Sequence, residues 1–253
     1  MENKEFYLNH DGYRIHCKLD FPESMQNPDE KCPLLILVHG LNGHMEERHV
    51  LSITDQLQSL GIAVLRVELY GHGKSDGTYQ THTLLKWIDQ MLTIIDYAEA
   101  LPFVQELYLA GHSQGGFLTM FAGAMEQDRL KAILLLSPAI LIRDCAVTGE
   151  ILGTKFDAQN IPREIVMVQG KNLSGNYMRT AQLLPVEAAI QSFEKPVLIV
   201  HADTDELIPV RYSLEAAKQY KNSTLRIIKD DTHCYDHHLD EVNEAIREFI
   251  TTL

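Results

Sequence analysis

One serine sits in a setting that turns hydroxyls into nucleophiles. Gly111-His112-Ser113-Gln114-Gly115 fits Gly-x-Ser-x-Gly, which between a strand and a helix makes a sharp, strained turn that lifts the serine Oγ above a sheet. The flanks supply that context: residues 106–110 read as a short apolar strand, and residues 116–122 as a helix apolar on every side and therefore buried. The glycines leave room where a Cβ would collide with the strand and helix beside it. A serine hydroxyl is a poor nucleophile at neutral pH, so it needs a base to take its proton and an acid to orient that base. In such a strand-turn-helix scaffold the partners follow in the order Ser, Asp or Glu, His, on loops after later strands. Asp203 and Asp205 head the loop after the apolar run 196–200. The stretch 201–209 resembles Gly-x-x-Asp-x-x-x-Pro with Ala202 in place of the glycine, which favours Asp205 and leaves Asp203 as a turn-former. Of the twelve histidines, only His233, His237 and His238 follow the last expected strand. His233 comes first, on a loop short enough to return to the sheet edge, and is the expected base. An oxyanion formed on the substrate would be met by the backbone N–H of Gln114 and by that of Leu41, after His39-Gly40.

Two other chemistries fit less well. His39 with His44, or His233, Asp236, His237 and His238, can be drawn as metal ligands, but neither H-E-x-x-H nor paired-cysteine spacing occurs, so no metal is expected. The loop 70–77 is rich in glycine, yet it lacks the Gly-Lys-Ser/Thr that opens a helix in a phosphate-binding loop.

The elements that must position these residues alternate. Residues 6–9 and 13–20 read as strands joined through Asp11-Gly12, a hairpin signal that suits an antiparallel edge. Unbroken apolar runs at 34–38, 63–67, 132–136 and 196–200 imply strands covered on both faces. Helices are expected over 50–60, ended by Gly61, and over 84–98, where Leu84, Leu85, Trp87, Ile88, Met91, Leu92, Ile95 and Ala98 mark one face. A helix over 210–220, a last strand at 224–228 and an amphipathic helix over 239–253 complete the series. Alternation of this kind implies right-handed crossovers and a mostly parallel central sheet flanked by helices, an α/β fold. It lapses for roughly sixty residues after Ser137, far beyond an ordinary α/β connection. Residues 139–195 are therefore expected to form an inserted cap, with a hairpin of 164–168 turning through 169–172 and a helix over 185–193. Residues 1–138 and 196–253 would form the core.

Composition bounds the partners. A formal net charge of −13 disfavours nucleic-acid phosphates and anionic membranes, and no apolar run approaches the roughly 18 residues that cross a bilayer. Cys17, Cys32, Cys145 and Cys234 lie far apart, a pattern of reduced thiols rather than a disulfide framework. The polar N-terminus has no secretory h-region, so a cytoplasmic location is expected. An apolar cap surface is compatible with a homodimer, although no residue compels one.

His39-Gly40, Gly71-His72-Gly73-x-Ser75, Gly111-His112-Ser113-Gln114-Gly115-Gly116, Asp205 and His233 together resemble the α/β-hydrolase serine esterases over nearly the whole chain. The loop from Tyr70 to Gly77, the cap string from Gly175 to Gln182 and the tail string from Asp231 to His238 are more narrowly similar to bacterial feruloyl (cinnamoyl) esterases of rumen and gut organisms. That resemblance implies an α/β-hydrolase fold and release of hydroxycinnamic acids from esters, including feruloylated oligosaccharides of plant cell walls. The route would be an acyl-enzyme on Ser113 with no cofactor, and the cap would shape the aromatic acyl pocket. Leu41 stands where that group often has Phe, and cap residues 165–168 are aliphatic. The rival readings are a general short-chain esterase or monoacylglycerol-lipase-like enzyme, and a ligand-binding module that has lost catalysis.

Overall fold

The structure is a computed structural model that describes every residue except Pro28 and Gln169. Its centre is an eight-stranded sheet: β1 (Lys4–His10), β2 (Tyr13–Asp20), β3 (Cys32–Val38), β4 (Ala63–Glu68), β5 (Val104–His112), β6 (Ala132–Leu136), β11 (Val197–Ala202) and β12 (Ser223–Ile228), with β7 to β10 in the insertion. The order is β1-β2-β4-β3-β5-β6-β11-β12. β1, β2 and β4 pair antiparallel, turning at Asp11 and Gly12, both at positive φ. β4, β3, β5, β6, β11 and β12 pair parallel in that order. Six-strand parallel pairing needs cover on both faces, and alternate residues provide it. Leu34, Ile36 and Val38 face one core with Trp87 and Phe117, while Leu35 and Leu37 face the other with Val50 and Ile246. Helices α1 (Arg48–Ser59) and α8 (Leu239–Thr251) cover the second face; α2 (Leu84–Glu99) and α3 (Gln114–Met125) cover the first, with α7 (Arg211–Gln219) beyond them.

From β3 the chain turns outward to β4 and then jumps back to β5. Connections leaving the C-terminal ends of β3 and β5 therefore diverge, and a crevice opens between them. The loop holding Leu41 and the turn holding Ser113 flank that crevice. Topology alone selects this end of the sheet for chemistry.

Most expected elements are present with shifted ends. Strands run on at their C-terminal ends, because Glu68, His112 and His201 are polar yet buried there. Leu85 is corrected: it is 49% exposed and off the buried stripe of α2. The insertion is more helical than expected. It contains α4 (Ile142–Thr148), α5 (Gly175–Leu183) and α6 (Val186–Ser192), with two-residue ladders β7 (Glu150–Ile151) with β8 (Thr154–Lys155), and β9 (Glu164–Ile165) with β10 (Leu173–Ser174). The expected strand 164–168 pairs only at Glu164 and Ile165, and Val166 and Val168 are exposed. Its expected turn includes Gln169, outside the described residues. α4 packs on α5, whereas α6 packs on α3 and α7 in the helical layer of the core.

Candidate active site

Ser113 sits at φ 55°, ψ −119° between β5 and α3, a strained conformation for a residue with a Cβ. Three backbone hydrogen bonds hold it: the Ser113 N–H donates to the Leu136 carbonyl at 2.8 Å, and its carbonyl accepts from the Ala139 and Phe117 N–H groups at 2.9 and 3.0 Å. Close approach fixes the glycines around it. A Cβ on Gly111 would lie 2.3 Å from the Gly115 carbonyl carbon, and one on Gly115 would lie 2.5 Å from the His39 oxygen.

The loop after β3 is drawn against this turn, since a Cβ on Gly40 would stand 2.9 Å from the Ser113 Cβ. His39 orients it. The Leu69 N–H donates to His39 Nε2 at 3.2 Å, so the ring proton is on Nδ1, which donates to the Gly40 carbonyl at 2.7 Å. Burial keeps this imidazole neutral by pushing its pKa down to about 4. In a trans peptide the N–H opposes the C=O, so holding the Gly40 carbonyl aims the Leu41 N–H the other way. Among the described residues neither the Leu41 nor the Gln114 N–H donates to a protein acceptor. Two free donors flanking a serine at a helix N-terminus suit a developing oxyanion.

His233 Nδ1 and Asp205 Oδ2 are 2.7 Å apart, and both side chains are almost wholly buried. Burial would raise the Asp205 carboxyl, but hydrogen bonds from His201 and His233 and from the Ile208 N–H carry it well below the ordinary carboxylate range. It is therefore an anion at neutral pH and an acceptor only, so Nδ1 of His233 carries the ring proton and Nε2 presents a lone pair. The second Asp205 oxygen accepts the Leu207 and Ile208 N–H groups at 2.9 and 2.8 Å. Asp203 instead accepts the Asp230 N–H at 2.7 Å, the turn role expected of it. His237 is exposed and His238 half-buried; both donate backbone N–H to Asp231, which braces the loop that carries His233.

Ser113 has no hydrogen bond to His233 here; such bonds are often long in ligand-free hydrolases and tighten around substrate. The link between them is His112. Its Nε2 lies 2.9 Å from the His233 carbonyl, and the two rings pack at a tilt of 46° with centroids 4.7 Å apart. An imidazole nitrogen facing a carbonyl must donate, and burial holds His112 neutral, its pKa well below the usual value.

Three supporting residues were quoted in the sequence motifs without a role of their own: His112, His201 and Tyr177. His201 Nε2 faces both the Ile208 carbonyl at 2.9 Å and Asp205 at 3.2 Å. Tyr177 of α5, fully buried, donates its hydroxyl to Gln114 Oε1 at 2.6 Å and packs on the His82 ring with centroids 5.1 Å apart. The aromatic that the insertion brings to the elbow is thus on α5, and not in the aliphatic 165–168 segment. No three of His233, Asp236, His237 and His238 come together as possible ligands among the described residues. Among the described residues the one cluster of three possible ligands is His10 and Asp11 of the edge hairpin with Asp89 of α2. No helix is long and apolar enough to cross a membrane among the described residues.

The chain is similar to proteins of known structure and family. A structure of ferulic acid bound to Est1E from Butyrivibrio proteoclasticus superposes with a TM-score of 0.94 at 49% identity, covering 98% of both chains. A second structure of Est1E superposes at 0.91, with 47% identity and the same coverage. Among curated proteins, the mitochondrial palmitoyl-protein thioesterase ABHD10 of Pongo abelii is 24% identical over 212 residues, 78% of this chain but 65% of that protein's length. The family model Hydrolase_4, described as serine aminopeptidase S33, matches residues 29–174, more than half of the chain. The chain therefore belongs to the Hydrolase_4 family of serine hydrolases with the α/β-hydrolase fold.

Proposed function

We propose that the protein is a serine carboxylesterase that hydrolyses hydroxycinnamate esters. The observation carrying this reading is the near-half identity, over 98% of both chains, to a protein whose structure holds ferulic acid. In the proposed mechanism Ser113 Oγ attacks the ester carbonyl as His233 Nε2 takes its proton, and the imidazolium is stabilised by the Asp205 anion at Nδ1. The oxyanion accepts the Leu41 and Gln114 N–H bonds. The intermediate collapses as His233 returns the proton to the departing alcohol, leaving an acyl-Ser113. Water, deprotonated by the same imidazole, then releases the acid. Every proton in this scheme moves through His233, so the chemistry asks for no metal or organic cofactor.

A second reading, a short-chain or monoacylglycerol esterase, draws on 26% identity over 205 residues to a monoacylglycerol lipase of Mycolicibacterium smegmatis and on the apolar Val166 and Val168, each 71% exposed. Comparing kcat/KM on methyl ferulate with that on nitrophenyl butyrate and octanoate separates the two. The first reading expects methyl ferulate to be preferred over the octanoate ester. Faster turnover of the octanoate ester would favour the second.

A further inference from the structure

A cleft of about 690 Å³ lies where the insertion meets the start of α2, between residues 80–86 and 163–179. Its volume is in the range of small-molecule sites, and its wall is cationic. Acidic residues outnumber Lys and Arg 35 to 22, yet the cleft is lined by Lys86, Arg163 and Arg179 with the single acid Glu164. Among the described residues none of these three cations lies within ion-pair distance of a carboxylate, although ion pairs occupy many other Lys and Arg side chains. Lys86 contacts the Thr81 carbonyl and the Tyr70 ring, and Arg179 donates to Asn176 and to the Ile161 carbonyl. Such neutral partners leave the positive charge uncompensated. Amide groups of Gln80 and Asn176 also line the wall and can both donate and accept, as recognition of hydroxyl groups requires.

The chain segments that line the cleft continue toward the oxyanion loop. Gln80 directly follows Tyr79, whose hydroxyl is met by the Asn42 side chain next to Leu41. The insertion crosses at the same place: Gly170 passes beside Asn42, and the Lys171 ammonium stands 5.1 Å from the centroid of the Tyr79 ring. Segments that wall the cleft therefore run on to the oxyanion loop.

We propose that this cleft binds a carboxylate-bearing saccharide, the alcohol part of the ester substrate. The inference rests on the esterase reading and adds to it the substrate class on the alcohol side. Arginine forks pair with carboxylates in two parallel hydrogen bonds, and surface cations raise the local concentration of anionic substrate even where each pair is individually weak.

Isothermal titration calorimetry at low ionic strength tests it, with trigalacturonate as the charged probe and xylotriose as the neutral one, on wild type and on the double variant Lys86→Gln/Arg163→Gln. The expected result is binding of trigalacturonate, weakened about 3- to 10-fold in the double variant as two exposed ion pairs would predict, and no heat with xylotriose. Absence of trigalacturonate binding, or equal affinity in the double variant, overturns the proposal. Methyl ferulate carries no charge on its alcohol, so the double variant should hydrolyse it at the wild-type rate. Wild type that fails to hydrolyse methyl ferulate would overturn the esterase reading and with it the assignment of this saccharide as substrate, whereas intact hydrolysis without binding rejects the cleft proposal alone.

Discussion

Asp205 and His233, 28 residues apart in sequence, meet through a 2.7 Å bond between Oδ2 and Nδ1, and that contact decides which ring nitrogen of His233 is free to act. An amide in place of the carboxylate can present its NH2 to the ring and select the other tautomer, which puts the proton on Nε2. Asp205→Asn should therefore lower kcat by about 10³- to 10⁴-fold with little change in KM, in a protein that still unfolds cooperatively. Steady-state kinetics on methyl ferulate with a thermal melt checks this. A loss under tenfold would show that Asp205 does not set the tautomer.

Tyr177→Phe removes the hydroxyl that donates to Gln114 Oε1. Both groups are buried, so the variant strands an acceptor at a cost of about 1–3 kcal/mol. A Tm lowered by about 3–6 °C is expected, with kcat reduced less than tenfold because the backbone N–H of Gln114, the proposed oxyanion donor, is untouched. An unchanged Tm in calorimetry would mean that the bond does not tie α5 to the elbow.

The elbow glycines give a steric test. Gly115→Ala places a Cβ within 2.6 Å of two backbone oxygens of β3 and its loop and should cost about 3 kcal/mol or more, beyond ordinary overpacking. Gly153→Ala, at φ +73° with no atom near the added Cβ, should cost about 1 kcal/mol for its backbone conformation alone. Urea unfolding of the two variants measures the difference, and equal midpoints would contradict the packing described for the elbow.

Stability should fall as the medium becomes acidic. Burial depresses His39, His49 and His82 to about 4 and His72 to about 2, and holds His112 well below its usual value. In the unfolded chain each titrates near 6.5. Between pH 6.5 and about 4 the unfolded state thus binds more protons than the folded state, and by linkage stability is complete above pH 6.5 and lost below it. Each group contributes up to about 1.4 kcal/mol per pH unit, so unfolding free energies from urea titrations at pH 7.5 and 5.5 should differ by at least about 2 kcal/mol. A flat profile would mean that these rings are protonated in the fold.

Much of this was readable in the residues. Doubly covered strands announce themselves as continuous apolar runs, and the elbow needs glycines that nothing else replaces, so the sheet and Ser113 were legible. Asp205 and His233 followed from strand order. What the sequence did not reveal depends on distant partners: His112 meets a carbonyl 121 positions away, and Tyr177 a glutamine 63 positions away. α5 escaped notice because it begins at a glycine and buries a short stripe of Tyr177, Met178 and Ala181, too few apolar positions to mark a period. Its one local signal is Ser174, whose side chain caps the helix by accepting the Asn176 N–H at 3.1 Å.

The central claim is that acyl transfer passes through Ser113. Mass spectrometry of the intact protein after treatment with a fluorophosphonate, followed by peptide mapping, measures this directly. The account predicts a single adduct on the peptide containing Ser113, no adduct on Ser113→Ala, and loss of methyl ferulate hydrolysis in step with labelling. An unlabelled wild type, or a Ser113→Ala variant that still hydrolyses methyl ferulate at the wild-type rate, would contradict it.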